Sequence, residues 1–82
     1  ASTVITYHLP GSGQLEGILS DVLGQRVRSW SIEHSVGGRY QLAWNGLDDG
    51  GMDVASGVYF LRMDFTTDER LLSVSKRMAL AR

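Results

Sequence analysis

Three aspartates in one glycine-rich stretch are the residues of this sequence best placed to bind a metal ion. Asp48, Asp49 and Asp53 lie in residues 45–57, which also hold four glycines and no basic residue. Carboxylate oxygens are ligands that Ca²⁺ takes in proteins, so the stretch offers a weak calcium site. The spacing differs from that of an EF-hand loop, which has an oxygen ligand where this sequence has Leu47. A solvated turn that binds no metal is the alternative, because Asp, Asn and Gly are ordinary turn residues.

Motifs for catalysis or cofactor binding are missing from the sequence. It has no Cys, which removes thiol nucleophiles, disulfides and Cys–zinc sites. The serines lie outside any G-x-S-x-G motif, and residues 11–16 end in Glu16 where the dinucleotide fingerprint has Gly. His8 and His34 fall on separate predicted strands and would need carboxylates beside them to hold a metal. We therefore predict a chain that is not an enzyme and has no cofactor.

The composition excludes further classes of protein. Eight Lys and Arg against nine Asp and Glu give a net charge of −1, too balanced for a protein that binds nucleic-acid phosphates. No apolar run approaches the roughly 20 residues that cross a bilayer. Residues 1–82 are enough for one small core, so we expect a single domain. They contain no export signal, and we expect any such signal to lie upstream.

Apolar residues recur with a period close to two, which predicts β-strands. A long surface loop is expected at residues 45–57, and Gly, Pro and Asp indicate turns elsewhere. About six short strands at this spacing are typical of an all-β protein, a small antiparallel sandwich. The strands are predicted at residues 3–9, 15–22, 25–33, 39–44, 58–65 and 70–81, with turns at 10–13, 21–24 and 66–69.

Trp30 is the aromatic residue that the strand pattern places outside the core. It shares a parity with Arg26, Arg28 and Ile32, which predicts an exposed patch on the third strand. Such a patch is typical of a partner-binding surface, and an exposed aromatic ring also stacks on sugar rings. The other large aromatics are expected to pack between the sheets: Tyr40, Trp44 and Tyr59.

Basic residues are concentrated in the last predicted strand. Residues 70–82 hold four basic residues and no acidic one. We predict partner binding along this strand, and the alternative is a solvated edge whose charges prevent aggregation. The residues predicted to bind are Lys76, Arg77, Met78 and Arg82.

Five short blocks occur in order along the chain: VITYHLP at 4–10, SDVLGQRV at 20–27, GRYQLAWNG at 38–46, VASGVYFLR at 54–62 and KRMAL at 76–80. Together they resemble the FlgD-type Ig-like domain and the similar C-terminal sorting domain of type IX secretion. The resemblance implies an Ig-like, fibronectin-III-like β-sandwich of about six to seven strands. Its structural positions match Gly24, Trp44, Gly46, Gly57 and Tyr59.

One part of the sequence departs from that family pattern. Gly17 and Ser20 stand where the family more often has bulkier residues. The second strand is therefore expected to pack less well than the others.

The resemblance implies a non-catalytic C-terminal domain of a larger secreted bacterial protein. Its role would be that of a type IX sorting signal recognised by the outer-membrane secretion machinery. An upstream cargo such as a secreted hydrolase would be covalently linked, and the protein would reach the medium or cell surface through the periplasm without membrane insertion. Two alternatives remain: a structural FlgD-like Ig module, in a flagellar hook-cap scaffold or as a spacer behind an enzyme, and a carbohydrate-binding module.

Overall fold

A computed structural model of the protein describes residues 3–81, and these residues form six β-strands. The all-β architecture predicted from the sequence is confirmed. No helix among residues 3–81 is long and apolar enough to cross a membrane. The strands are β1 (Thr3–Leu9), β2 (Gly13–Ser20), β3 (Arg26–His34), β4 (Gly38–Trp44), β5 (Gly57–Thr66) and β6 (Leu71–Leu80).

The second strand begins and ends two residues earlier than the alternation predicts. Asp21 terminates it, because its carboxylate accepts hydrogen bonds from the backbone N–H groups of Leu23 and Gln25. These bonds form a tight turn that includes Gly24 at φ +82°, a conformation that favours glycine.

The strands form two antiparallel sheets of unequal width. The small sheet contains β1 and β4, and the large sheet has the order β3-β2-β5-β6. Successive strands alternate in direction, so six strands bring the start of β1 and the end of β6 to the same end of the molecule. Thr3 pairs with Trp44, whose ring packs edge-on against Tyr59 at 5.2 Å, and Tyr59 pairs with Met78. We call this the Trp44 end.

The core lies between the two sheets and contains alternate residues of five strands. Trp44 is completely buried, and its indole N–H donates to the Leu47 carbonyl oxygen at 2.9 Å. The predicted core positions Trp44 and Tyr59 are thus confirmed, and Tyr40 is half-buried. The other buried apolar residues are Ile5, Leu9, Leu15, Leu19, Leu42, Leu61, Met63, Phe65, Met78 and Leu80.

The prediction of an exposed patch around Trp30 on the third strand is wrong. A β-bulge at Leu19/Ser20 shifts the pairing of β3, and Trp30 lies opposite Gly17 on the core side of the sheet. Trp30 is half-buried there and packs against the core. A Cβ on Gly17 would lie 3.3 Å from the Trp30 ring, so glycine leaves room for the indole. The expectation of a poorly packed second strand is therefore also wrong at this position.

The guanidinium of Arg28 lies over the ring of the same indole. Its carbon is 5.2 Å from the ring centroid of Trp30, a distance typical of cation–π contacts. The side chain also donates to the carbonyl oxygen of Leu47 at 3.3 Å. Arg28 therefore links β3 to the loop at the Trp44 end.

At the opposite end of the molecule, Gly37 lies directly against the turn that follows β1. A Cβ at Gly37 would lie 2.9 Å from both the backbone nitrogen of Gly11 and the carbonyl oxygen of Leu9. Backbone atoms have no rotamer by which to move aside, so the two turns approach this closely only because Gly37 has no side chain.

We expect Gly37→Ala to lower the free energy of unfolding by about 1–3 kcal/mol, the usual cost of overpacking. Gly11→Ala is the matched control, because a Cβ there meets no atom within 4 Å and the cost should stay within about 0.5 kcal/mol. Urea unfolding of both variants, followed by tryptophan fluorescence, measures the difference. Equal stability of the two variants would contradict the close approach.

Candidate functional site

The predicted partner-binding residues of the last strand divide between surface and core. Lys76 and Arg77 are exposed and point to opposite faces of β6, and no ion pair to either occurs among residues 3–81. Met78 is only 8% exposed and packs in the core, so the prediction that it contacts a partner is wrong for the folded domain. Arg82 lies outside the described residues.

Arg77 belongs to an apolar and basic patch on the outer face of the large sheet. It pairs across the strands with Phe60, which is 46% exposed, and Phe60 also pairs with Ser20 of β2. The neighbouring row contains Arg62 beside the exposed Ile18. These side chains line a shallow groove of about 270 Å³. The groove is open to solvent and suits contact with another surface.

Asp64 follows Arg62 on the same outer face. Its carboxylate accepts a hydrogen bond from the Ser73 hydroxyl at 2.6 Å and contacts the Arg62 guanidinium at 3.2 Å. The hydroxyl, and to a lesser degree the guanidinium, lower the pKa of Asp64 below its ordinary value. This carboxylate is therefore satisfied within the chain.

The acidic loop at residues 45–57 covers the start of the free edge of β3, at Val27 and Ser29. The backbone N–H of Asp49 donates to the Val27 carbonyl oxygen at 3.0 Å, and the Asp49 carboxylate accepts from the Ser29 N–H at 2.9 Å. The same carboxylate lies 3.6 Å from the Arg26 guanidinium and 3.9 Å from that of Arg28. The loop thus continues the hydrogen bonding of the sheet beyond its last strand.

The other two aspartates of the loop make contacts within the loop itself. The Asp48 carboxylate accepts from the N–H groups of Gly50 and Met52, both at 2.9 Å. Asp53 is exposed and forms an isolated bridge with Leu47. Residues 3–81 contain no group of three or more His, Cys, Asp or Glu side chains that would hold a metal ion. The aspartates singled out for calcium thus act here as turn and edge residues.

Apart from Gly24, which lies in the turn after β2, the glycines and aromatics of the family pattern lie at the loop 45–57 and its borders. Gly46, two residues after Trp44, adopts φ +80°, and its carbonyl oxygen accepts from the Val54 N–H. Gly57 begins β5, and the Tyr59 hydroxyl donates back to the Ala55 carbonyl oxygen. These residues order the Trp44 end of the sandwich.

One polar cluster between the sheets has no signal in the sequence. The Tyr7 hydroxyl and the His34 Nε2 are 2.9 Å apart, and the His34 ring lies 4.0 Å from the Tyr40 ring, measured between centroids. Burial, and secondly the nearby Tyr40, raise the pKa of Tyr7 above its ordinary value. The cluster therefore holds a neutral tyrosine and joins β1 and β4 to the end of β3. Its members are 27 or more residues apart in two of the three pairs, so only the fold brings them together.

Comparison with known proteins gives one family and one fold. The family model described as FlgD Ig-like domain matches residues 2–69. A comparison with curated protein sequences gave no significant match. Among solved structures, FlgD from Xanthomonas campestris, described in connection with the hook capping essential for flagellar assembly, is 23% identical with a TM-score of 0.73. FlgD from P. aeruginosa is 18% identical with a TM-score of 0.79.

The likeness to these two structures concerns the fold. It covers 95% and 96% of this chain but 54% of the Xanthomonas chain and 61% of the P. aeruginosa chain. The chain thus spans somewhat more than half the length of either structure.

We expect Asp49→Ala to destabilise the domain by about 1 kcal/mol, because it removes the acceptor for the Ser29 N–H and the partner of two arginines. The Ser29 amide should then exchange with solvent faster. Asp68→Ala is the matched control, since Asp68 lies exposed in the turn before β6. Urea unfolding and amide hydrogen exchange measure both effects. Unchanged exchange at Ser29 would show that the loop does not cover this edge.

Proposed function

The chain belongs to the FlgD Ig-like domain family, and from this membership we propose that it is a structural, non-catalytic module of a larger protein that works outside the cytoplasm. Its role is to occupy a place in an assembly through contacts of its sheet faces and edges. The match over residues 2–69 is the observation that carries the proposal.

The position of the two chain ends supports this role. Thr3 and Leu80 both lie at the Trp44 end, so the sandwich extends away from the point where it joins a longer chain. With extents of 38 × 22 × 21 Å, the domain is a short rod attached at one end. This geometry fits a module that is inserted in or appended to a scaffold better than a spacer between two parts in series.

The polar groups of the domain also fit a structural role. Among residues 3–81 no polar or charged residue is buried, and every buried side-chain nitrogen or oxygen has a hydrogen-bond partner. The distinctive polar contacts, such as those of Asp49 and Asp48, hold backbone in place. We therefore assign function to the surface of the sandwich.

A chimera tests the proposal. In Xanthomonas campestris cells that lack FlgD, a FlgD whose matching region is replaced by residues 3–81 should restore hook assembly and swimming, at least in part. The same chimera with Trp44→Ala is the control, because loss of the buried indole destabilises the fold by about 3–5 kcal/mol and should abolish the effect. A chimera that accumulates in folded form but supports no hook assembly would contradict the proposal.

A second candidate function is that of a type IX sorting signal, and the exposed basic side chains of β6 favour it. Lys76 and Arg77 extend from the two faces of an edge strand that pairs only with β5 among the described residues. Basic side chains on both faces of a strand are accessible to acidic groups of another protein. The partner would be the outer-membrane secretion machinery, with an upstream cargo such as a hydrolase.

An export assay separates this candidate from the structural role. Residues 1–82 are fused behind an exported fluorescent reporter in a bacterium with the type IX translocon, and the medium and cell surface are assayed with and without the translocon. A sorting signal predicts translocon-dependent export that is mostly lost in the double variant Lys76→Ser, Arg77→Ser and kept in the matched control Arg39→Ser, Arg70→Ser. Reporter that stays in the periplasm with the domain folded would rule the sorting role out.

A further inference from the structure

The two sheets have four edges, and three of them carry features that prevent the addition of another strand. Unpaired edge strands template strand addition unless charges, prolines or covering loops protect them. The first half of the β3 edge is covered by Asp49 of the acidic loop, which bonds to Val27 and Ser29. The edge strand β6 carries Lys76 and Arg77, and β4 begins at Gly38 and carries the exposed Arg39.

The fourth edge, that of β1, has none of these features. Its sequence TVITYHL contains no Lys, Arg, Asp, Glu, Gly or Pro, and four of its seven residues are β-branched. Such a composition favours strand pairing. Among residues 3–81, β1 pairs only with β4, so its other edge is unpaired.

An apolar cleft lies beside this unpaired edge. Because the small sheet has two strands and the large sheet four, the core-side face of β6 is not fully covered. Val74, which faces the core side, is 54% exposed, and Leu72 next to it is half-buried. Tyr7, His8 and Leu9 of β1 form the other wall of a cleft of about 100 Å³, with Leu15, Met63 and Phe65 at its base.

We propose that the free edge of β1 binds an extended segment of another protein as a third strand of the small sheet. Its alternate side chains would be apolar and would enter the cleft to cover Val74. Lys76 shares the face of Val74, is exposed and forms no ion pair within residues 3–81, so it selects a carboxylate at that end of the segment. The partner segment therefore alternates apolar and polar residues and carries one acidic residue on its apolar side.

The same segment would bury less apolar surface at the edge of β6. A strand added there would extend the large sheet beyond the reach of the small sheet, and its apolar side chains would face solvent. A strand on β1 instead lies above the uncovered face of β6 and removes apolar surface from water on both partners. This inference goes beyond the proposed structural role and does not depend on the outcome of the chimera.

The test uses two synthetic peptides, acetylated and amidated, Thr-Val-Thr-Val-Thr-Asp-Thr and its reverse, so that both strand directions are sampled. Each is titrated into ¹⁵N-labelled residues 1–82 and followed by amide shifts and hydrogen exchange. We expect one of them to protect the amides of β1 and to shift Val74. The corresponding peptide with Lys in place of Asp should bind more weakly, and Lys76→Glu should reverse that preference.

Substitutions at two positions of similar exposure, Val74 and Leu71, control for the cleft. Val74→Ser should weaken binding about tenfold, since the apolar contact with the peptide is lost. Leu71→Ser removes a side chain of similar exposure from the same strand but from the outer face, and should leave binding unchanged.

Three results would overturn the proposal. They are no binding of either peptide at millimolar concentration, protection of β6 or β4 instead of β1, and a peptide preference that Lys76→Glu leaves unaltered. Sedimentation of the free domain adds a fourth: a dimer with protected β1 amides would make a second copy of the chain the occupant.

Discussion

The burial of Trp44 is the constraint on which the rest of the structure depends. Its ring lies between the small sheet and Tyr59 of the large sheet, and its indole N–H fixes the carbonyl oxygen of Leu47. From there the loop continues to Asp49, which bonds to Val27 and Ser29 at the free edge of β3. The Trp44 side chain therefore joins the two sheets and orders the loop that lies along the free edge of β3. The acidic residues of this loop have structural partners that a reading of their charge alone does not reveal.

Alternation of apolar residues was sufficient to predict the six strands in order, because most of them have one face on the core and one in water, but it displaced the second strand by two residues. It was not sufficient to place Trp30, since the bulge at Leu19/Ser20 shifts the pairing of β3 and the parity no longer indicates the face. Gly17 holds the relevant signal, a strand glycine that leaves room for a large neighbour, but only the register shows which neighbour. The contact of Tyr7 with His34 joins distant segments and has no local pattern at all.

The family likeness rests mainly on positions that build the sandwich. Gly24, Trp44, Gly46 and Tyr59 serve turns, core and loop, which any domain of this shape requires. Lys76 and Arg77 lie beyond residue 69, where the family match ends, and they point to solvent. The residues that specify the fold and those that would distinguish a scaffold module from a sorting signal are therefore different sets.

The location of both chain ends at the Trp44 end also determines how the domain responds to tension. A pull that separates Thr3 from Leu80 acts first on the terminal pairs of β1 and β6. These pairs are Thr3 with Trp44 and Leu80 with Gly57. The ladder hydrogen bonds of each strand then break one after another, as in a zipper, and are not loaded together in shear. Where the two ends join neighbouring parts of a scaffold that hold each other, the load passes between those parts and the sandwich stays relaxed beside the path of force.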